Sequence, residues 1–384
     1  MIPISQPFIE KKDFKYIKKV LENKILTDGF FQKKCENFIK KKLNSKFIAL
    51  THSCTAALEI SAILINLKKG DEVIIPSYGF VSVANAIVLR GATPIFAEVD
   101  PKSLNISAED IKKKISHKTK AIFVIHYAGN SCEIQKIKQI TKDKKIYLIE
   151  DAAHAFNAKY KNKYLGTIGD IGVFSFHETK NLVSGQGGCI SINNKSLITR
   201  VNYILDKGTN RYEFIKNYRK KIITANNNKK YYSWVDIGSE YRAPELSSAL
   251  LYSQLKKLNF IQNKRKTIWN YFKNELIKLN SNLFTLLEPG KFSISSYHLF
   301  IIIFKNDALS KNFMSFMQNK GIAATFHYVP LHKSKMANKY FKKKLKVTEN
   351  IYTKVVRLPL FVGLKKEMIK KIILNFKKFI DDQK

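Results

Sequence analysis

The sequence is short of acid, of arginine and of paired cysteines. Against 68 lysines and arginines stand only 30 aspartates and glutamates, a net charge of +38 over 384 residues. That imbalance could mark a nucleic-acid or anionic-membrane partner. The scarcity of arginine argues otherwise, because it occurs only as Arg90, Arg200, Arg211, Arg219, Arg242, Arg265 and Arg357. Base-reading interfaces favour its forked guanidinium, and here the excess is lysine spread along the chain. Compositional drift accounts for it, with attraction of an anionic substrate as a side benefit, so no nucleic acid is expected as partner. Cys35, Cys54, Cys132 and Cys189 have no paired spacing; neither a disulfide framework nor a metal site is indicated, and a reduced cytoplasm fits. No signal-peptide pattern is found, and no apolar run is long enough to span a bilayer, so a soluble cytoplasmic protein without a membrane partner is expected. Repeats and low-complexity tails are also missing. Asn226 to Asn228 with Lys229 and Lys230 mark a polar loop that is expected to be mobile.

What is present is a chain too long for one small core, with 45% hydrophobic residues to fill more than one. Its first part alternates short apolar strands with helical stretches, as βαβ units do. Strands are read at 47–51, 73–75, 93–97, 121–126 and 146–150, and a helix at 55–67 with Ala57, Leu58, Ala62 and Leu64 on one face. Ser107, three residues before Asp110, caps another helix. The expectation is an α/β fold whose mostly parallel central sheet is covered on both faces. Further on, a long helix starts at Pro244, runs to Leu258 and continues towards Leu279. Strand 298–304 and helices near 313–319 and 365–381 follow, as a smaller C-terminal α+β domain. The division is placed as a large domain at 1–250 and a small one at 251–384.

The stretch Gly172 to Gly188 organises the rest. Val173, Phe174 and Phe176 read as a buried strand, after which polar residues and glycines force an exposed turn carrying Lys180. A solvated surface lysine is the plain alternative. The company of Ser175, His177 and Thr179, with Gly185, Gly187 and Gly188 to permit close backbone approach to a ligand, favours a reactive amine. A lysine that condenses with an aldehyde most commonly holds pyridoxal 5'-phosphate. Asp151 ends an apolar strand, where ligands of such sheets lie, and could keep a pyridine nitrogen protonated, or merely cap. His154 could hydrogen-bond the phenolic oxygen of that cofactor or be structural. Between Thr51 and Ala57 strand gives way to helix, and backbone amides with the Ser53 and Thr55 hydroxyls suit a phosphate; simple capping by Ser53 is the alternative. Phe80 offers a face to a planar ring, or packs in the core.

These residues carry a resemblance. Pro76-Ser-Tyr-Gly-Phe80, Glu150-Asp-Ala-Ala153, Phe174-Ser-Phe-His-Glu-Thr-Lys-Asn181, Lys207-Gly-Thr-Asn-Arg211, Trp234-Val-Asp-Ile-Gly-Ser239 and His327-Tyr-Val-Pro-Leu-His332 are similar to motifs of the DegT/DnrJ/EryC1/StrS family of sugar aminotransferases, over essentially the whole chain. The resemblance implies pyridoxal-phosphate-dependent aminotransferase fold type I and a homodimer with shared active sites. It implies that Lys180 bonds the cofactor, Asp151 pairs with the pyridinium, Phe80 stacks on the ring and His154 meets the phenolic oxygen. Ser175 and the turn Cys54, Thr55, Ala56 would hold the phosphate, with Asn210 reaching in from the partner subunit. His327, Tyr328 and His332 would touch the sugar or diphosphate, or simply pack in their loop. Three positions depart from the pattern: His154 stands for Gln, Cys54 for Gly, and Gln186 for the Glu of Gly-Glu-Gly-Gly. A lysine rather than the histidine of the dehydratase branch argues for transamination. The implied reaction moves an amino group from L-glutamate to a nucleotide-linked keto-deoxysugar. dTDP-4-keto-6-deoxy-D-glucose would give dTDP-4-amino-4,6-dideoxy-D-galactose for a surface polysaccharide such as lipopolysaccharide. Another keto-sugar, or another reaction of a pyridoxal-phosphate enzyme, are the alternatives.

Overall fold

Short runs rich in valine and isoleucine become strands in the computed structural model, which describes residues 1–219 and 231–383. In chain order β1 (Phe47–Thr51), β2 (Glu72–Pro76), β3 (Thr93–Ala97), β4 (Thr119–Ile125) and β5 (Tyr147–Asp151) come first. A small hairpin of β6 (Lys159–Tyr160) and β7 (Lys163–Tyr164) follows, then β8 (Ile171–Ser175) and β9 (Gly188–Ile192). Seven of these strands form one sheet in the order β1-β9-β8-β5-β4-β2-β3, in which only β9 runs against its neighbours. The mostly parallel sheet is therefore as expected. Alternation explains why both faces are apolar: Ile74, Ile122, Val124 and Leu148 enter one core, while Val73, Ile75, Phe123 and Ile149 enter the other.

The helix expected from Pro244 is interrupted. Helix Glu245–Lys256 ends at Lys257, and a second helix, Leu258–Ile277, starts there, so residue 250 falls inside the first helix. A hairpin strand β10 (Phe284–Leu286), the short β11 (Ser293–Ile294), β12 (Phe300–Phe304) and β13 (Val355–Leu358) follow. The order β10-β12-β13 makes a second, antiparallel sheet, and β11 extends the hairpin of β6 and β7. Phe300, Ile302, Phe304, Val356 and Leu358 face a separate core. On the opposite face Ile301, Ile303 and Val355 meet Tyr78, Tyr127 and Val99 of the first half. Ser107 caps its helix as expected, accepting from the Asp110 N–H. The four cysteines are free. Among the described residues no helix is long and apolar enough to cross a membrane, and no group of three metal-ligating side chains is assembled. The loop expected at Asn226 to Lys230 lies outside the described residues.

The carboxyl end of β5 is pinned by Glu150. Its buried carboxylate accepts from His126 Nε2 at 2.9 Å and from the N–H groups of Gly166, Ile168 and Gly169 at 2.9, 2.6 and 2.6 Å. Burial pushes this carboxyl up, but the His126 ring and the N–H donors outweigh it and hold it below the usual range. Glu150→Ala strands these donors without water, which is expected to cost ~3–5 kcal/mol. A denaturant melt checks this; a loss under ~1 kcal/mol would mean the loop at Gly166 is held otherwise.

Candidate active site

Three chain reversals meet where β5 and β8 end. Asp151 is the last residue of β5 and Ser175 the last of β8, while Ser53 caps helix Cys54–Leu64 beyond β1. The loop from β8 to β9 is tied across its base: Phe176 N–H donates to Gly187 O at 2.8 Å, Ser184 N–H to Phe176 O at 2.8 Å and Glu178 N–H to Gly185 O at 2.9 Å. Lys180 N–H donates to His177 O at 2.9 Å, which closes the turn presenting its side chain. Gly185 and Gly188 serve this packing, while Gly187 lies on the wall of the cavity that Lys180 also lines. Gly185 adopts φ +81°, and a Cβ on Gly188 would come within 2.4 Å of the Ser53 carbonyl carbon. Gly188 thus lets β9 lie against the start of the phosphate-type helix.

A cavity of about 650 Å³ opens there, lined by Lys180, Asp151, His154 and Ser175, by Ser53, Cys54 and Thr55, and by Phe80, His327 and Tyr328. Of the expected residues, these are brought together. Ala56 is not on the wall; it is buried, and its N–H is taken by Ser53 Oγ at 3.0 Å, so the capping role of Ser53 is real. His332 is also off the wall, between Ser77 Oγ at 2.5 Å and Glu349 Oε1 at 3.1 Å, where it secures its loop. Asn210 lies outside this cavity, its Oδ1 accepting from Ser233 N–H at 2.8 Å.

Electrostatics follows from enclosure. Burial lowers the Lys180 ammonium to about 8, against the opposing pull of Cys54 and Asp151. Burial raises the Asp151 carboxyl, although the Ala153 N–H at 2.9 Å and the Lys180 charge oppose it. Burial drives His154 well below the ordinary imidazole value, with Lys180 and His327 adding to it. The ring is therefore neutral. Since the neutral amine is the nucleophile, Lys180 gains reactivity as pH rises through about 8. In the cofactor-free protein the rate of Lys180 modification by trinitrobenzenesulfonate is expected to rise with a midpoint near 8, against ~10.4 for exposed lysines. Peptide mapping of the labelled lysine checks it, and a midpoint with the bulk would refute the buried amine.

The residues fit pyridoxal phosphate. His154 Nδ1 is buried without a partner, and its Nε2 stands 3.4 Å from the Tyr328 hydroxyl. The Asp151 carboxylate accepts only from Ala153 N–H among the described residues, which leaves capacity for a cationic ring nitrogen. The Thr55 and Ser82 hydroxyls, 2.8 Å apart, stand at the helix start, where free amide donors suit a phosphate. Sequence reading missed Arg265, His298 and Arg357 on the same wall, and Asn181, whose side chain binds Ser296 O at 2.8 Å and His298 Nδ1 at 2.9 Å. The rarity of arginine was the available signal for two of them. No local pattern places Arg265, His298 and Arg357 beside Lys180, because they come from elements more than 80 residues away in sequence.

Comparison with known proteins agrees with this geometry. Residues 7–377 match the model of the DegT/DnrJ/EryC1/StrS aminotransferase family. The chain is 30% identical to the uncharacterized protein MJ1066 of Methanocaldococcus jannaschii, covering 100% of this chain and 98% of that one. It is 29% identical to the GDP-perosamine synthase of Escherichia coli O157:H7, over 100% and 99% of the two. Among solved structures, Helicobacter pylori PseC, an aminotransferase involved in the biosynthesis of pseudoaminic acid, is 27% identical with a TM-score of 0.89, and 99% of each chain is covered. The protein is a pyridoxal-phosphate-dependent sugar aminotransferase with the fold type I architecture, and it belongs to the DegT/DnrJ/EryC1/StrS family.

Proposed function

We propose that the protein moves the amino group of L-glutamate to C4 of dTDP-4-keto-6-deoxy-D-glucose, giving dTDP-4-amino-4,6-dideoxy-D-galactose for a surface polysaccharide. The observation that carries the amino-transfer reading is the enclosure of Lys180 with Asp151 and His154 in one cavity at the strand ends. When bound there, pyridoxal phosphate supplies the aldehyde that receives the amino group and a ring that takes up electrons from the breaking carbon–hydrogen bond. Lys180 would hold the cofactor; its Nζ, neutral in part near pH 7, would take the proton from the donor α-carbon and give it to the cofactor carbon, and in the second half would take a proton from that carbon and give it to the acceptor carbon of the sugar. Asp151 would keep a proton on the ring nitrogen, and His154 Nδ1, neutral and unpartnered among the described residues, would be the partner for the phenolic oxygen. Phe80 would stack on the ring, and Ser175, Cys54 and Thr55, on the same cavity wall, would hold the phosphate. His327 and Tyr328 meet the sugar.

The working unit proposed is a homodimer in which Asn210 of one subunit reaches the phosphate in the other. Supporting it, Tyr231, Trp234 and Val235 beside Asn210 are 83%, 80% and 47% exposed, an apolar surface that a single chain leaves in water. A soluble cytoplasmic location is proposed with it. The nucleotide has a specific rival, since the relative from E. coli O157:H7 is a GDP-perosamine synthase. The cofactor-loaded protein, given L-glutamate with dTDP- or GDP-linked 4-keto-6-deoxysugars, settles the substrate when the product is read by NMR. An axial amine at C4 of the dTDP sugar is expected. Product from the GDP sugar alone would overturn the dTDP assignment, and an intact glutamate half-reaction without either product would move the search to other keto-sugars.

A further inference from the structure

Asn181 follows Lys180 in the chain and decides where a ring on the cavity wall keeps its proton. Its Nδ2 donates to Ser296 O at 2.8 Å, and its Oδ1 stands 2.9 Å from His298 Nδ1. A carbonyl can only accept, so the amide cannot be turned the other way round. Oδ1 therefore faces the ring, and Nδ1 must carry a proton to meet it. Burial drives the His298 imidazole well below its ordinary value, with His154, Lys180, Arg265 and His327 adding to this, so the ring is neutral and has one proton to place. Nε2 is left bare, as a lone-pair acceptor. Among the described residues nothing pairs with it, although His298 is only 6% exposed and lines the cavity of Lys180. The ring is also held in place. Arg265 Nη2 and Nε grip the carbonyls of His298 and Tyr297 at 2.6 and 3.0 Å, and the ring packs on that of His154 with centroids 4.5 Å apart. A buried acceptor that is fixed and empty is costly unless a donor arrives.

What such an acceptor can receive is narrow. Carboxylates, carbonyls, a diphosphate and the ring oxygen of a sugar offer only lone pairs, and a bare Nε2 repels them. The amino nitrogen of a donor has to come to the place of Lys180 Nζ. A sugar hydroxyl remains. Because Asn181 is the chain neighbour of Lys180, it holds the imidazole beside the reacting centre, and the hydroxyl must sit on a carbon next to the reacting carbonyl. In a 4-keto-6-deoxysugar one flanking carbon carries the C3 hydroxyl, and the other carries the methyl group and the ring oxygen. Resting on the substrate reading above, we propose that His298 is a specificity residue whose Nε2 accepts a hydrogen bond from the C3 hydroxyl of the keto-sugar, and that Asn181 is the positioning residue that keeps Nε2 free of a proton.

The test separates the two ring nitrogens. In His298→Gln the side-chain amide reaches the place of Nε2 and can still accept, whereas in His298→Asn it replaces Nδ1 and keeps only the tie to Asn181. Wild type and both variants, loaded with cofactor, are assayed on dTDP-4-keto-6-deoxy-D-glucose and on its 3-deoxy counterpart. Wild type is expected to favour the hydroxylated sugar about 10- to 100-fold in kcat/KM, His298→Gln to keep part of that preference and His298→Asn to lose it, while the glutamate half-reaction changes by less than about threefold. Nitrogen-15 NMR of the histidine-labelled protein should show His298 Nδ1 protonated and Nε2 bare, and Asn181→Leu should abolish that arrangement. No preference in wild type, a preference kept by His298→Asn as well as or better than by His298→Gln, a protonated Nε2, or an unchanged ring in Asn181→Leu would overturn the assignment. If wild type aminates no dTDP sugar, the substrate reading has failed by itself. The Nε2 signal then decides: its movement on adding dTDP-glucose or GDP-mannose supports the hydroxyl contact, and an unmoved signal overturns it.

Discussion

Replacing Lys180 by alanine is expected to lower turnover by at least ~10⁴-fold, because in the proposed mechanism one residue both holds the cofactor and carries the proton. The variant should keep the far-ultraviolet circular dichroism of the wild type. Among the described residues the Lys180 side chain makes no ion pair or hydrogen bond, and the turn is closed by main-chain bonds from Phe176 to Gly187. Its folded pKa of about 8 lies below the ordinary lysine value of 10.5, so the folded protein holds this proton less well than the unfolded chain. The resulting penalty is fully present below pH 8, fades as pH rises, and is gone above the unfolded value. At pH 7 the cofactor-free alanine variant should therefore melt no lower than wild type. Measured turnover within a hundredfold of wild type would remove Lys180 from the chemistry.

Asp151→Asn is expected to reduce turnover by ~10²–10³-fold with little change of shape, since the amide cannot hold a proton on a pyridine nitrogen. Here too stability and activity part company. Burial raises the Asp151 carboxyl, so the folded, cofactor-free protein binds this proton more readily than the unfolded chain. The cost of the ionised form is absent below the unfolded pKa and fully present above the folded one. At neutral pH the amide removes that cost, and the cofactor-free variant should be at least as stable as wild type in a thermal melt. Its hold on pyridoxal phosphate should weaken. A variant that lost stability in proportion to activity would mark Asp151 as a structural cap and leave the ring nitrogen without its partner.

Both expectations concern a charge that folding makes expensive, which is where reading a sequence and reading a structure differ. Lys180, Asp151 and Ser175 were legible as positions because Asp151 and Ser175 close apolar strands and Lys180 lies in the polar, glycine-containing turn after the second, and the sheet rule places such ends around a ligand. The helix start at Ser53 was legible for the same reason. His332 sat in a motif beside His327 and Tyr328 and looked alike, yet the loop turns it towards Ser77 and Glu349. Side-chain direction in an irregular loop is set by contacts across 17 to 255 residues of sequence, which no periodicity encodes. The break at Lys257 escaped the pattern because apolar spacing continues through both helices.

By itself the sequence determined the α/β alternation, the strand ends and the turn that carries Lys180, because hydrophobic period and turn chemistry are local properties of a chain. Only the tertiary structure decided the rest. Packing of β13 against Tyr78 and Tyr127 brought Arg357 to the wall that Lys180 occupies, Glu150 found its four donors, and the protonation states in the cavity shifted. Those outcomes depend on how much water each charged group loses and which distant groups replace it, and that is fixed when the elements close on one another.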